Sequence, residues 1–357
     1  MKIRPAISLP TAAAYALIGA IVLAVAGLFA LVGGWIGTPR VSGSTVSDAL
    51  EYNAGHHPGY RRAHAKGLCI SGVFEANGAG VELSRASIFK PGSYPVAGRF
   101  SIAGGNPLAG DGRNVFHSMA LILRTPDGQQ WRTGMDHTEI FPVADVESFV
   151  GLQRASRPDP ATGKPDPARM KAFLADHPEV RAFQQYMQAH PLPDAFTDGP
   201  YYSINAFRFT NAQGMARYVR WAMLPEDQTV ALDKKALGDL PKDAVFDRSL
   251  ARLAQGPVRW HLVVTIAEPG DVTDKATAMW PAGRRTVDVG TLIIDKALPE
   301  AAGNCRDMVF DPTILPPGMA PSADPLLAAR AAAYSSSFTR RAGEGARSSL
   351  STAAKEF

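Results

Sequence analysis

The chain has 357 residues, with 37 Lys and Arg against 33 Asp and Glu and a formal charge of +4. The excess is small and scattered, with no Lys/Arg block, which argues against a nucleic-acid surface. Two cysteines, Cys69 and Cys305, make neither a disulfide framework nor a zinc site, although they can pair in an oxidising compartment.

Lys2 and Arg4 precede an uncharged run over residues 11–36. As helix this run is roughly 39 Å long, against a hydrocarbon core of about 30 Å. The short basic end favours a cytoplasmic N-terminus, which puts the rest of the chain on the other side. Ala24-Val-Ala26 also has the small-residue pattern of a signal cleavage site, but more apolar sequence follows it than an h-region needs. The reading adopted is an uncleaved inner-membrane anchor over 1–38 with a periplasmic domain over 39–357. A soluble periplasmic protein after cleavage is the alternative.

Residues 37–60 read as a linker and approach segment. Strands are expected over 67–75, 96–103, 118–124 and 130–143, with a turn at Pro126-Asp-Gly128. Residues 145–195 are helical in character, with a loop over 158–167 and helices over 168–175 and 178–189. A hairpin follows, 201–210 and 216–224, turning at Asn211-Ala-Gln-Gly214. Residues 232–255 read as helix, and 258–267 and 286–295 as further strands. Two antiparallel strand sets around a helical insert predict an α+β fold, a closed antiparallel barrel with helices packed outside.

Near the C-terminus, Pro-rich turns lead into one more helix. Asp324 can cap it and Pro325 can take its first position. Arg330 and Tyr334 are four apart and share a face. Arg341, seven further on, joins that face if the helix continues. A guanidinium one turn from a phenol favours the phenolate, a hard anionic ligand, and Tyr is one of the few axial ligands that proteins give to haem iron. Alone, the Arg330/Tyr334 spacing equally suits an amphipathic helix with a core tyrosine.

The whole run from Phe310-Asp-Pro through Pro317-Gly and Asp324-Pro to Arg330, Tyr334 and Arg341 resembles the proximal haem segment of the haem catalase family. Arg61-Arg-Ala-His64-Ala-Lys-Gly67 is similar to its distal-histidine motif, and Arg99-Phe-Ser101 to its Arg-Phe-Ser strand. The hairpin over 201–224, Trp280-Pro281 and Val289-Gly290 resemble further landmarks in the same order. The resemblance covers roughly residues 55 to 342 and is nearest to the small catalase-related peroxidases that keep only the barrel core. It implies a catalase-type barrel holding haem b, with Tyr334 as iron ligand and Arg330 keeping it ionised.

By the same resemblance His64 is the distal base and Ser101 orients its ring. Arg61, Arg99 and Arg341 fall where propionate-binding arginines lie; taken singly, each reads as a surface arginine. Phe149 falls where a ring packs on the haem face and Phe141 where another lines the distal pocket; both equally suit plain core positions. The other histidines have solvent, approach-segment or strand readings.

One departure stands out. Aligned through Trp131 and Phe141, Asp136 occupies the position of the family's distal asparagine, and a one-residue slip would put His137 there instead. An asparagine amide donates a hydrogen bond to peroxide; an ionised aspartate only accepts. The implied function is peroxidase activity, oxidising a small organic donor with hydrogen peroxide or an organic hydroperoxide. Alternatives are a true catalase, rearrangement of lipid hydroperoxides on the same barrel, a haem sensor without turnover, and a haem-free scaffold.

Overall fold

The computed structural model describes residues 9–33, 41–113, 116–159, 161–227 and 229–344. The chain divides into two compact units, Met1–Val41 and Ser42–Phe357. In the first, helix α1 (Leu9–Val32) is 24 residues long, with no acidic residue in its first turn or basic residue in its last. Its stretch Thr11–Leu31 is long and apolar enough to cross a membrane. Lys2, Arg4 and residues 34–40 of the expected anchor and linker lie outside the described residues.

In the second unit, β1 (Gly67–Ala76), β2 (Gly92–Ile102), β3 (His117–Arg124) and β4 (Gln130–Asp136) form an antiparallel meander. After the helical insert come β5 (Tyr201–Tyr202), β6 (Phe207–Thr210), β7 (Ala216–Pro225), β8 (Val258–Ile266), β9 (Thr286–Pro299) and β10 (Met319–Pro321). The strand order is β10-β6-β7-β5-β4-β3-β2-β1-β9-β8, and β7 also pairs with β8. That last pairing closes a ring of β1, β2, β3, β4, β5, β7, β8 and β9, which removes the exposed edges an open sheet would present.

Alternation along the strands sends one set of side chains inward. Phe100, Met119, Met135, Trp131 and Trp260 are at most 1% exposed and fill the barrel. Phe100 stacks on Phe196 at 5.5 Å, and Trp131 meets Trp221 edge-on at 5.0 Å. The interior is therefore packed, and the alternate, outward residues of β2 to β4 are left for the helices.

The helices are α2 (Gly43–Ala54), α3 (Val146–Ala155), α4 (Pro167–Asp176), α5 (Pro178–Ala189), α6 (Lys234–Gly238), α7 (Ala244–Ala254) and α8 (Pro325–Gly343). α8 starts as its sequence predicts: Asp324 accepts from the Leu326 amide at 3.0 Å and Pro325 takes the first turn. It runs far enough to include Arg341.

Several sequence expectations need correction. Residues 43–54 are helix, not linker; Ser42 caps α2 by accepting from Thr45 N at 3.1 Å. The strand expected over 130–143 stops at Asp136, and the chain beyond makes irregular bonds, such as Phe141 N to Ala276 O at 2.9 Å. The strand expected over 201–210 breaks at Ile204, whose φ is +64°. The helix expected over 232–255 is two helices, separated at Pro241, which lacks an amide donor. The pairing left open for Cys69 and Cys305 is made: they form a disulfide, with Cα atoms 5.3 Å apart, that ties β1 to the segment after β9.

α2 lies against α8, close enough that a Cβ on Gly43 would fall 2.3 Å from Ala332 O. Ser47 donates to Ser336 at 2.9 Å. Around this contact Arg62, 4% exposed at its side chain, donates from Nε to Glu51 Oε2 at 2.8 Å and from Nη1 to Glu344 Oε2 at 3.0 Å. Arg340 reaches Asp48 at 2.7 Å. Burial works against ionisation of Glu51, but His56 and Arg62 outweigh it, so its carboxyl lies below the ordinary range. The hydrogen bonds from Arg62 hold Glu344 low as well.

A carboxyl whose folded pKa is depressed adds stability above its unfolded pKa, about 4.3, and that stability is lost as pH falls through the folded value. Arg62→Ala is expected to lower the unfolding free energy of the apoprotein by about 2–3 kcal/mol at pH 7. Urea titrations should show the gap between wild type and variant narrowing below about pH 4.3; equal stabilities at pH 7 would show that the cluster contributes nothing.

Candidate active site

The antiparallel ladder places the outward residues in rows. Gly67, Ser101, Ser118, Asp136 and Tyr202 are successive partners across β1 to β5. Arg99, Ala120 and Gly134 form the next row. Between these rows and α2, α3 and α8 lies a cavity of about 500 Å³. Its walls include His64, Ser101, Asp136, Arg61, Arg99 and Tyr334, with Phe141, Phe149 and Arg330 beside them. Nine of the ten residues singled out in the sequence thus meet in one place. Arg341, the tenth, is buried 5.1 Å over the Phe338 ring rather than on the cavity wall.

His64 sits between β1 and the approach segment with φ +55°, a left-handed conformation uncommon for a side-chain-bearing residue. Its Nδ1 lies 3.4 Å from Ser101 Oγ, leaving Nε2 for the cavity. Burial holds its pKa below the usual value; Asp136 works the other way, and Arg99, Arg330 and Arg61 add to the lowering. A lowered pKa keeps the imidazole neutral, and able to accept a proton, at pH 7.

Asp136 accepts a hydrogen bond from Ser118 Oγ, its ladder partner. His137 points elsewhere. Its Nδ1 accepts from His117 N at 3.2 Å, its ring meets Phe116 edge-on, and burial pushes its pKa down to about 4. Asp136, and not His137, lines the cavity.

On α8, Arg330 donates from Nη2 to Gly134 O at 2.9 Å and from Nη1 to Asn205 Oδ1 at 2.7 Å. A Cβ on Gly134 would lie 3.0 Å from Arg330 Nη2 and 3.3 Å from Tyr334 Oη. Glycine is what lets helix and strand approach there. Asn205 also donates to Asp324 Oδ2 at 2.8 Å, so one amide joins the helix cap to Arg330. Asn205 and Ser118 were not found from the sequence. Ser118 was within reach, since counting back from the Asp127 turn pairs it with Asp136. Asn205 has no local signal; the backbone kink at Ile204 aims it.

Arg61 Nη2 donates to the carbonyls of Cys305, Arg306 and Met308 at 3.0, 3.0 and 2.7 Å. Arg99 Nη2 meets Glu300 at 2.8 Å and Ala65 O at 3.2 Å. Burial, followed by the charges of Arg99 and Arg341, pushes Arg61 down to about 9, against Glu300 and Tyr334. The Nε atoms of Arg61 and Arg99 are buried without a hydrogen-bond partner among the described residues. A guanidinium cluster with spare donors suits an anionic ligand edge. Phe141 and Phe149, stacked at 6.0 Å, give the cavity a flat aromatic surface.

The profile of the Catalase family matches residues 47–348. The chain belongs to the catalase family. A protein named catalase-related peroxidase from Synechococcus elongatus is 35% identical over 301 residues, covering 84% of this chain and 89% of that one. Another of that name, from Mycolicibacterium paratuberculosis, is 32% identical over 297 residues, covering 83% and 93%. Catalase A from Saccharomyces cerevisiae superposes with a TM-score of 0.73 at 18% identity, over 86% of this chain and 68% of that one, which shows the shared fold.

The catalase family is haem-dependent, and the donor set fits such a group. It offers a phenol for iron, an imidazole, guanidiniums with unpartnered N–H groups, and apolar walls.

Asn205→Leu would leave Arg330 and Asp324 each short of a partner. It is expected to destabilise the apoprotein by about 2–3 kcal/mol, read from thermal or urea unfolding; wild-type stability would show that neither charge depends on the amide.

Proposed function

We propose that this haem peroxidase of the catalase family holds haem b through Tyr334 and uses His64 as its distal base, oxidising small organic donors with hydrogen peroxide or an organic hydroperoxide. The observation that carries the reading is the convergence of Tyr334, His64, Ser101, Arg61 and Arg99 on one cavity from three separate stretches of chain. When bound, the haem iron supplies the redox centre at which peroxide is reduced. His64 Nε2 would take a proton from one peroxide oxygen and return it to the other, which would leave as water when the O–O bond breaks. Ser101 holds the ring in place, and Arg330 stands beside Tyr334 to favour its anionic form. Arg61 and Arg99 would pair with the propionates, with Arg341 behind them, while Phe149 would pack on the haem face and Phe141 would line the distal pocket.

We further infer that residues 11–36 anchor the protein in the inner membrane with the catalytic domain in the periplasm. The Cys69–Cys305 disulfide supports an oxidising compartment. Sequencing the mature N-terminus tests this: a start beyond residue 26 would make the protein soluble and periplasmic.

Tyr334→Phe keeps the ring and removes the ligating oxygen. The purified variant is expected to lose most of its haem absorbance or its activity, and normal ferric spectra with normal turnover would overturn the assignment. His64→Ala should keep haem and react with peroxide about 10²–10⁴-fold more slowly by stopped flow. An unchanged rate would remove His64 from the reaction.

Asp136 bears on the balance between donor oxidation and dismutation. Ionised, and accepting from Ser118, it would offer peroxide no hydrogen-bond donor where an asparagine amide offers one. Asp136→Asn is expected to raise oxygen evolution at neutral pH about tenfold relative to donor oxidation, the equivalent of about 1.4 kcal/mol. Both activities would be followed for wild type and variant from about pH 4.5 to 8; superimposable profiles would make Asp136 a plain isostere.

A further inference from the structure

We propose that Lys66 is a positioning residue for His64, its ammonium clamped by Asp111 and Asp243 so that the left-handed backbone at His64 is held. The proposal rests on the reading of His64 as distal base. It starts from the conformation. A residue at φ +55° outside glycine persists only where its surroundings over-determine it. His64 belongs to no helix or strand, so no ladder holds it.

What holds it are its neighbours. On the N-terminal side, Arg62 is fastened to Glu51 and Glu344, and its amide donates to Ser337 Oγ at 3.1 Å. On the C-terminal side, Ala65 N donates to Gly104 O at 2.9 Å and Ala65 O accepts from Arg99 at 3.2 Å. Lys66 then closes the turn. Its Nζ lies 2.6 Å from Asp111 Oδ1, 2.7 Å from Asp243 Oδ1, 3.0 Å from Lys242 O and 3.1 Å from Ala109 O. Four acceptors surround three N–H donors, and the ammonium also lies 4.4 Å over the Phe246 ring. Asp111 is fully buried and accepts from Val245 N at 2.8 Å in the first turn of α7. The clamp thus ties His64, two residues away, to α7 on a different part of the barrel. Lys66 is absent from the cavity wall, so it acts on chemistry only through the turn.

The test uses the full-length protein in detergent. ¹³C-histidine spectra of the apoprotein give eight ring signals, with His64 assigned by its loss in His64→Ala. Lys66→Met is expected to move the His64 signal and to speed hydrogen exchange at the Ala65 amide. Asp243→Asn, at a half-exposed carboxylate, should give a smaller change of the same sign, and Lys66→Arg should restore the wild-type spectrum. In the haem-loaded protein, Lys66→Met should react with peroxide about 10- to 100-fold more slowly, with haem content unchanged and the KM for the donor within about twofold of wild type. Lys235→Ala removes an exposed i,i+4 pair with Asp239 and should change nothing. An unmoved His64 signal and an unchanged peroxide rate in both Lys66→Met and Asp243→Asn would overturn the proposal; should Lys66→Met fail to fold, the same readings on Asp243→Asn decide it. If His64→Ala itself reacts at the wild-type rate, the functional reading fails, while the apoprotein spectra still judge the clamp.

Discussion

The geometry of the site depends on how closely α8 can approach β4. At Gly134 the strand has no side chain, and Arg330 donates directly to its carbonyl at 2.9 Å. Any larger residue would push against Arg330 and Tyr334 Oη together. The approach in turn requires Arg330 to be satisfied, since a guanidinium half-buried against a sheet is costly without partners. Asn205 supplies the second bond, and it reaches Arg330 because the strand kinks at Ile204, a β-branched residue in a left-handed conformation. The same amide grips Asp324 at the helix start. The cap of α8, the break between β5 and β6, and the placement of the phenol are therefore one network.

A second constraint is charge. Arg61 and Arg99 crowd the cavity with Arg341 behind them; burial first, and then their mutual repulsion, lowers the pKa of Arg61. Protein groups answer this only in part. The three carbonyls from Cys305 to Met308 take one face of Arg61, and Glu300 takes Arg99. The disulfide at Cys305 fixes the segment that offers those carbonyls. An anionic ligand edge would relieve the remaining repulsion, so the arrangement favours binding over apoprotein stability.

Much of this was legible in the sequence, for reasons that differ by residue. Arg330 and Tyr334 could be placed because helical periodicity and the Asp324-Pro325 cap are local signals, whereas Arg341, on the same helix, lies off the cavity wall. Arg99 and Ser101 were reached through the resemblance of Arg99-Phe-Ser101 to the family's strand, and alternation then puts both on one face of β2. Asp136 depended on alignment through Trp131, and the ladder sets it beside Ser118 on the outward face of β4. The rest was not local. Asn205 meets Arg330 across 125 residues and Lys66 meets Asp243 across 177, and nothing in either neighbourhood announces the partner. α2 was missed because its apolar positions are sparse; packing against α8 through Gly43 and the Arg62 cluster stabilises it where propensity does not.

The two sides of the site are held by different physics. Ser101, Ser118 and Asp136 are consecutive partners in a closed barrel. In a closed ring no strand can slip by one residue without breaking its pairs on both sides and exchanging its inward and outward faces. A slip at β4 would bring Met135 out and bury Asp136 among aromatics. The row is thus as secure as the fold itself. His64 has no such protection, because it stands on the approach to β1, outside the ladder and in a strained backbone. Beside the backbone bond from Ala65 N to Gly104 O, it is held through side-chain bonds made by Arg62, Arg99 and Lys66. The residue with the most demanding geometry in the site is therefore the one whose position depends on ion pairs rather than on backbone register, which makes it the more exposed of the two to change at distant positions.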